Sequence, residues 1–541
     1  MNVKNIVVVI FCLLSIGTIQ AQYESGVTTP DKTKPKVVDK LLPEVRYAES
    51  VHAATLRKHL RVLASDSLEG RETGKKGLEM AGDYIVKIIS NQGLLPAVDT
   101  SYYQDVAFTY SGWGDTDIFV NKERFRHLWD YLAFPDKNAN VPAILEKEVI
   151  FLGYGIDDPK YSDYKKVNVK DKIIMINRGE PVNKDSVSFI TKTKNMSEWS
   201  NDDMEKKLAI AKAKGVKLVL IIEKDIKKML DVNRKKLMGS YLELGDMTSK
   251  EQVLANHAYI SSTIAKAVIG SNETKIISAR KKLEKGKPAS LVMKTDIIMN
   301  MTKDVKVVKG KNIIGYIKGK SKPDEFVVVS AHYDHLGKRG DEIFNGADDN
   351  GSGTSTLLEL SQSVQQAVLE SNRPERSIVF IWFCGEEKGL LGSKYYSENP
   401  IFPLEKTVVD INVDMVGRSD EKYKDNPDYI YVIGSDRLST DLHKVNEDVN
   451  QKYTQLTLDY TYNNEDDPNQ FYYRSDHYNF ARLGIPSIFY FSGTHEDYHR
   501  TSDDVDKINF DKMANVGKLI FHTMWEIANR KDGIVPDKVK K

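Results

Sequence analysis

"EFVVVSAHYDHLG", residues 325–337, decides how this chain folds. Phe326 to Ala331 form an almost unbroken apolar run of strand length, and His332, Asp334 and His335 follow it directly. An unbroken run is what a strand buried on both faces needs, whereas a half-exposed strand alternates. Three more stretches share this build. "SIVFIWFCGEE" ends in Glu386 and Glu387, "VVDINVDMVG" brings up Asp414, and "PSIFYFSG" leads through a short loop to His499. Between and after them lie the helical stretches "SGTSTLLELSQSVQQAVLE" and "INFDKMANVGKLIFHTMWEIANR". The alternation predicts an α/β domain with a mixed, mostly parallel central sheet flanked by helices. Ligands of such sheets sit beyond the carboxyl ends of the strands. The reactive side chains fall there.

The loop after the first of these strands, "NGADDNGSG" at 345–353, adds Asp348 and Asp349. A solvated turn explains one acid at one strand end well enough. It does not explain four strand ends delivering imidazole or carboxylate to one rim. A catalytic zinc takes three protein ligands and leaves a place for water. Two such ions need six coordination positions. His332, Asp349, Glu387, Asp414 and His499 fill them if one carboxylate is shared. Glu386 is then left beside the metals to handle protons. Asp334, two residues past His332, is placed to hold the other N–H of that imidazole. Asp348 either orients the loop or faces water.

The rest of the chain sets the frame. At 541 residues it is long enough for two or three domains, and 40% hydrophobic with 29% charged residues is ordinary globular composition. Lys and Arg number 78 against 77 Asp and Glu, and this neutrality argues against nucleic acid as a partner. "MNVKNIVVVIFCLLSIGTIQA" reads as a cleavable signal peptide, so the expected location is outside the cytoplasm, periplasmic or secreted. Its loss removes Cys12 and leaves Cys384 as a lone thiol, so no internal disulfide is expected. The expected organisation is a signal at 1–21, a loose polar leader at 22–50, and a first part of the catalytic domain at 51–139. An inserted β-rich α/β domain with a lysine-rich extension follows at 140–304, then the second catalytic part at 305–531 and a basic tail at 532–541. Within the insertion, "EVIFLGYG", "KIIMINRG" and "VKLVLIIE" read as strands and "MEKKLAIAKAKG" as a helix.

Six motifs, "HLRVLASDSLEGRETGKKG", "HYDHLG", "GADDNGSG", "FCGEEKGLLGS", "NVDMVGR" and "YHRTSDD", together resemble the M28 family of zinc metallopeptidases. The segment around "EVIFLGYGI", "VKDKIIMINRGEP" and "AKAKGVKLVLII" is similar to the protease-associated domain often inserted in that family. The resemblance implies a zinc-exopeptidase fold and two Zn2+ per chain. His332 and Asp414 would hold one ion, Glu387 and His499 the other, and Asp349 would bridge them. It also implies Glu386 as general base, Tyr498 as a stabiliser of the oxyanion, and an unusual backbone turn at Asn350. Asp476 and His477 of "SDH" read as supports behind the ligands or as structural, and His335 as structural rather than a ligand. The implied activity is that of an aminopeptidase acting on peptides. A carboxypeptidase of the glutamate carboxypeptidase type and a glutaminyl-cyclase-like acyl transferase share the fold. A non-catalytic binding ectodomain is the reading from another class.

Two rival motifs need an answer. "HEDYH", His495 to His499, satisfies H-E-x-x-H, but that signature works only on a helix, where residues i and i+4 share a face. A Ser-Gly-Thr turn precedes it and no apolar helical face flanks it. "GSGTST" has Thr356 where a dinucleotide fingerprint needs its third glycine. No G-x-S-x-G is present, so a serine hydrolase elbow is unsupported.

Overall fold

The computed structural model describes residues 26–31, 33, 42–202, 204–238, 241–248 and 252–538. The expected signal segment lies outside them. Among the described residues no helix is long and apolar enough to cross a membrane. The chain divides into two compact units, 1–107 with 309–541 and, between them, 108–308.

The first unit is built on a mixed sheet. Its strands are the carboxyl-terminal part of Ser290–Ile317 (β1), Lys322–His332 (β2), Arg376–Phe383 (β3), Thr407–Val413 (β4), Tyr429–Ile433 (β5) and Ser487–Phe491 (β6). The order is β1-β3-β2-β4-β6-β5, with β3, β2, β4 and β6 parallel and β1 and β5 antiparallel to their neighbours. The apolar runs explain why these strands lie inside. Val327, Val328, Val329 and every residue from Ile378 to Phe383 are fully buried. Helices Gly353–Leu369 (α1) and Phe510–Asn529 (α2) pack on β2 and β3, and the short helix His477–Ala481 packs on β4 and β6. From β2 the chain steps to β3 on one side and then to β4 on the other. This reversal opens a crevice beyond the carboxyl ends of β2 and β4. The register holds those ends level: His332 pairs with Phe383, and Ser330 with Asn412.

The second unit has its own sheet. Val141–Leu152, Ile173–Asn177, Leu218–Ile222 and His257–Ile260 run parallel in chain order. Alternate residues of these strands feed two separate cores, Phe151, Met175 and Leu220 in one and Ile150, Ile174 and Val219 in the other. That two-sided burial is why the runs are continuously apolar. The expected helix in "MEKKLAIAKAKG" forms over Glu205–Ala213.

Two boundaries differ from the sequence reading. The second unit begins at 108, not 140, because the strand Tyr103–Val120 continues past the division and pairs at Asp117–Val120 with Glu123–Arg126. The stretch expected to be a loose leader contains a helix, Pro43–Glu49, with Tyr47 and Ala48 buried and the Tyr47 hydroxyl donating to Glu370 at 3.0 Å. Its apolar residues are too few for a periodicity to stand out. Val27–Thr28 pairs with Leu458–Asp459.

One side chain ties the amino-terminal helices to the sheet. Arg71 lies at the end of "SLEGR", is 1% exposed, and donates to the carbonyls of Leu63, Tyr333, Asn345 and Gly346. Burial lowers its pKa to about 10, which the surrounding carboxylates, Asp349 first, oppose, so it stays charged at neutral pH. Arg71→Met is expected to cost roughly 3 kcal/mol or more, since it strands buried acceptors that each cost about 1–3 kcal/mol unpaired. Chemical denaturation of the two proteins measures it, and an unchanged midpoint would refute it.

Candidate metal centre

The strand ends bring the expected residues together. His332 closes β2, Glu386 and Glu387 follow β3, Asp414 follows β4, and His499 lies in the turn after β6. His332 Nε2 stands 3.3 Å from Asp414 Oδ1, 3.5 Å from Asp349 Oδ1 and 3.8 Å from Glu386 Oε2. His499 Nε2 stands 3.0 Å from Asp349 Oδ2 and 3.3 Å from Glu387 Oε1. The two oxygens of Asp349 therefore face two different imidazoles. All of these groups are buried except Glu386, whose side chain is 11% exposed, and His499, whose side chain is 27% exposed.

The protons say what belongs between them. His332 Nδ1 lies 3.1 Å from the backbone carbonyl of Asp334 and must donate to it, since a carbonyl can only accept. This leaves the Nε2 lone pair of a neutral ring facing carboxylates. Nε2 and Asp414 Oδ1 are buried without a hydrogen-bond partner. Such a cluster is costly unless a cation or a proton sits in it. Burial opposes a charged His332, but Asp414 and Glu386 draw its pKa well above the usual value. Burial and then the opposing attraction of Glu387 set His499, raised to about 10. The donor set, imidazoles and carboxylates, suits zinc.

The loop 345–353 is fixed from all sides. Gly346 has φ 57°, and a Cβ there would meet Asp349 O at 2.2 Å and the His335 ring at 2.4 Å. At Gly353 a Cβ would meet Val413 O and Asn350 Oδ1, both at 2.3 Å. Asn350, after a cis Asp349–Asn350 peptide, donates to Val413 O at 2.9 Å and accepts from Gly353 N and Met415 N. Asp348 is wholly buried and orients the loop. Its Oδ1 accepts from Gly417 N at 2.7 Å and its Oδ2 faces His495 Nε2 at 3.4 Å.

Asp334 departs from expectation. Its carboxylate does not hold His332; the backbone carbonyl of the same residue does. Oδ2 accepts from the Thr73 hydroxyl at 2.7 Å and Oδ1 from the Glu386 amide at 3.1 Å, leaving Oδ1 3.7 Å from the His332 ring. Asp334 thus positions the backbone of Glu386. Tyr498 stacks on His499, with ring centroids 3.9 Å apart, and its hydroxyl accepts from Arg474 Nη2 at 3.3 Å. "HEDYH" is not helical: residues 496–499 form a turn, and His495 points to Asp348 while His499 points to Asp349. Asp476 and His477 are buried, and burial lifts Asp476 to about 7.

Sequence reasoning missed three supports. Ser475 receives the Asn412 amide at 2.8 Å and donates to Asp414 Oδ2 at 2.8 Å. Asp503 accepts from the amides of Asp348 and Asp349 at 3.0–3.1 Å. Arg71 holds the start of the loop. "SDH", "RTSDD" and "SLEGRETG" contained all three, but nothing in a linear pattern says which loop such a residue will reach. The fourth surprise is His335, whose Nδ1 lies 2.9 Å from Glu387 Oε1 and 3.8 Å from Asp349 Oδ2.

Residues 312–524 match the sequence family described as Peptidase family M28. This stretch is an M28 peptidase domain. Among the relatives of the M28 domain, aminopeptidase YwaD of Bacillus subtilis (strain 168) is 31% identical over 239 residues, 43% of this chain and 47% of that protein. The chain spans about half the length of the curated relatives it matches. Over 92% of this chain and 98% of the other, the fold is similar to an aminopeptidase from Aneurinibacillus sp. strain AM-1, with a TM-score of 0.55 and 18% identity. A zinc aminopeptidase from Bacillus subtilis gives a TM-score of 0.50 at 20% identity over 90% of this chain and 99% of that one. These two likenesses concern the fold. The M28 domain carries every side chain placed above at the metal centre except Arg71 and Thr73.

Proposed function

We propose that the chain is a two-zinc exopeptidase that removes amino-terminal residues from peptides. One observation carries this reading: Asp349 stands between two imidazole–carboxylate sets, with a spare carboxyl, Glu386, beside one of them. His332, Asp349 and Asp414 would hold one ion, and Asp349, Glu387 and His499 the other. When bound, zinc supplies a Lewis acid for the scissile carbonyl and makes water a nucleophile at neutral pH.

The chain's own groups do the rest. Glu386 takes the proton of the attacking water at Oε2 and passes it to the leaving amine. Burial pushes the Tyr498 hydroxyl far above its ordinary pKa, so it stays a donor. The Arg474 N–H occupies one of its lone pairs and leaves the O–H to meet the oxyanion. Met415, Phe471, Phe489 and Phe491 line the cavity beside the acids, which suits an apolar first side chain. The carboxylates on the same wall receive the free α-amine.

A carboxypeptidase acting on acidic termini would want several arginines. Among the described lining residues Arg474 is the one arginine, and it is turned to Tyr498. We also read residues 108–308 as a protease-associated type of insertion and the amino terminus as an export signal.

The test is a panel of peptides with free or acetylated amino termini, with zinc supplied. Hydrolysis confined to free amino termini, fastest with an apolar first residue, is expected. Cleavage of blocked peptides from the carboxyl end would establish the carboxypeptidase instead, and no cleavage at all would favour a binding protein.

A further inference from the structure

The two prospective metal positions are not built alike. Around the first, His332 Nε2 faces one oxygen each from Asp349 and Asp414. Around the second, Asp349 Oδ2 and Glu387 Oε1 face two imidazoles, His499 from the partly exposed turn and His335 from within. His335 is 0% exposed, and its own backbone amide donates to Arg71 O at 3.1 Å. Its Nδ1 lies 2.9 Å from Glu387 Oε1 but makes no aligned hydrogen bond. His335 Nδ1 and His499 Nε2 thus converge on the same two oxygens, Asp349 Oδ2 and Glu387 Oε1. Side chains arranged round a cation have this geometry, because each donor points at a shared centre and not at its neighbour. His335, Asp349 and Glu387 offer donor atoms that all lie within 4.8 Å of one another.

We propose that His335 is a fourth protein ligand of the second metal, which closes that position, while the first position keeps an open place. The inference rests on the two-zinc reading above. A four-donor set is the build of a structural zinc site, and three donors with a vacancy are the build of a catalytic one. The two ions are therefore unequal in binding: the second is held tightly and stays, and the first is the weaker and the one that meets substrate. His335 also adds a wholly buried donor beside His499, which sits on a turn with its side chain 27% exposed.

The metal-free full chain titrated with Zn2+ against a chromophoric chelator tests this without any activity measurement. Wild type should take up two ions in two separated steps. In His335→Ala the tighter step should weaken at least about tenfold, the lower bound seen even for partners one shell further out, while the weaker step stays put. His499→Ala should still bind two ions, because His335, Asp349 and Glu387 remain. Unchanged steps in His335→Ala, or loss of the second ion in His499→Ala, would overturn the assignment of His335 and leave the two-zinc reading intact. Fewer than two ions in wild type would overturn that reading itself. Should His335→Ala fail to fold, as judged by circular dichroism of the metal-free protein, the His499→Ala titration decides alone.

Discussion

Glu386→Ala is expected to keep its zinc and lose at least about two orders of magnitude in turnover, the lower range of what a positioned general base contributes. The residue sits where such a base must sit. Its Oε2 is 3.8 Å from His332 Nε2, so it borders the first metal position without being one of the donors that face it most closely. Its backbone amide is held by Asp334 Oδ1, which fixes the side chain's origin. Burial raises its proton affinity first of all; His332 opposes this, and Glu387 and Asp414 add to it, so its pKa lies well above the carboxylate range. Turnover of a free-amino-terminus peptide and zinc content measured on the same sample check the claim. Near-normal turnover would end the assignment. Loss of zinc together with activity would make Glu386 a ligand, an outcome its place beside His332 and Asp414 makes worth measuring.

The parts of this molecule that were legible in the sequence are those where one local pattern carried two messages. In "EFVVVSAHYD" the apolar run declares a strand buried on both faces, and the His and Asp that end it declare a rim. The same is true of β3, β4 and β6, so the sheet and most of the site could be read together. What was not legible depends on contacts that cross the chain. Arg71 reaches carbonyls more than 250 residues away at Tyr333, Asn345 and Gly346. Ser475 and Asp503 likewise act on Asp414 and on the Asp348–Asp349 amides. Short motifs contained these residues but not their targets. Asp334 was misassigned in a smaller way, since spacing placed it beside His332 but could not tell its carboxylate from its carbonyl. The leader helix was missed because "PEVRYAE" spans seven residues, too few for a 3.6 period to be distinguished from chance.

The sharpest contrast lies within one dipeptide, and it gives the other large effect. Asp349→Ala should abolish measurable turnover and bring zinc down to one ion or fewer per chain. Its Oδ1 is 3.5 Å from His332 Nε2 and its Oδ2 is 3.0 Å from His499 Nε2, so a single deletion takes a donor from both positions at once. Loss of an outer partner alone costs about 10–100-fold in metal affinity or activity, and loss of a shared donor should exceed that. Asp348→Asn, one residue earlier, should keep both ions. Its carboxylate serves the fold, accepting from Gly417 N and facing His495 Nε2. His495 Nδ1 accepts from the Asp497 amide, so the neutral ring carries its proton on Nε2, toward Asp348. An asparagine amide turned that way sets donor against donor in a buried place, and about 1–3 kcal/mol of stability is the expected loss. Zinc stoichiometry and denaturation midpoints of the two variants should therefore move in opposite patterns. If Asp348→Asn released zinc while Asp349→Ala retained both ions, the two carboxylates would have to exchange roles, and the bridge would have to be sought on the His495 side of the loop.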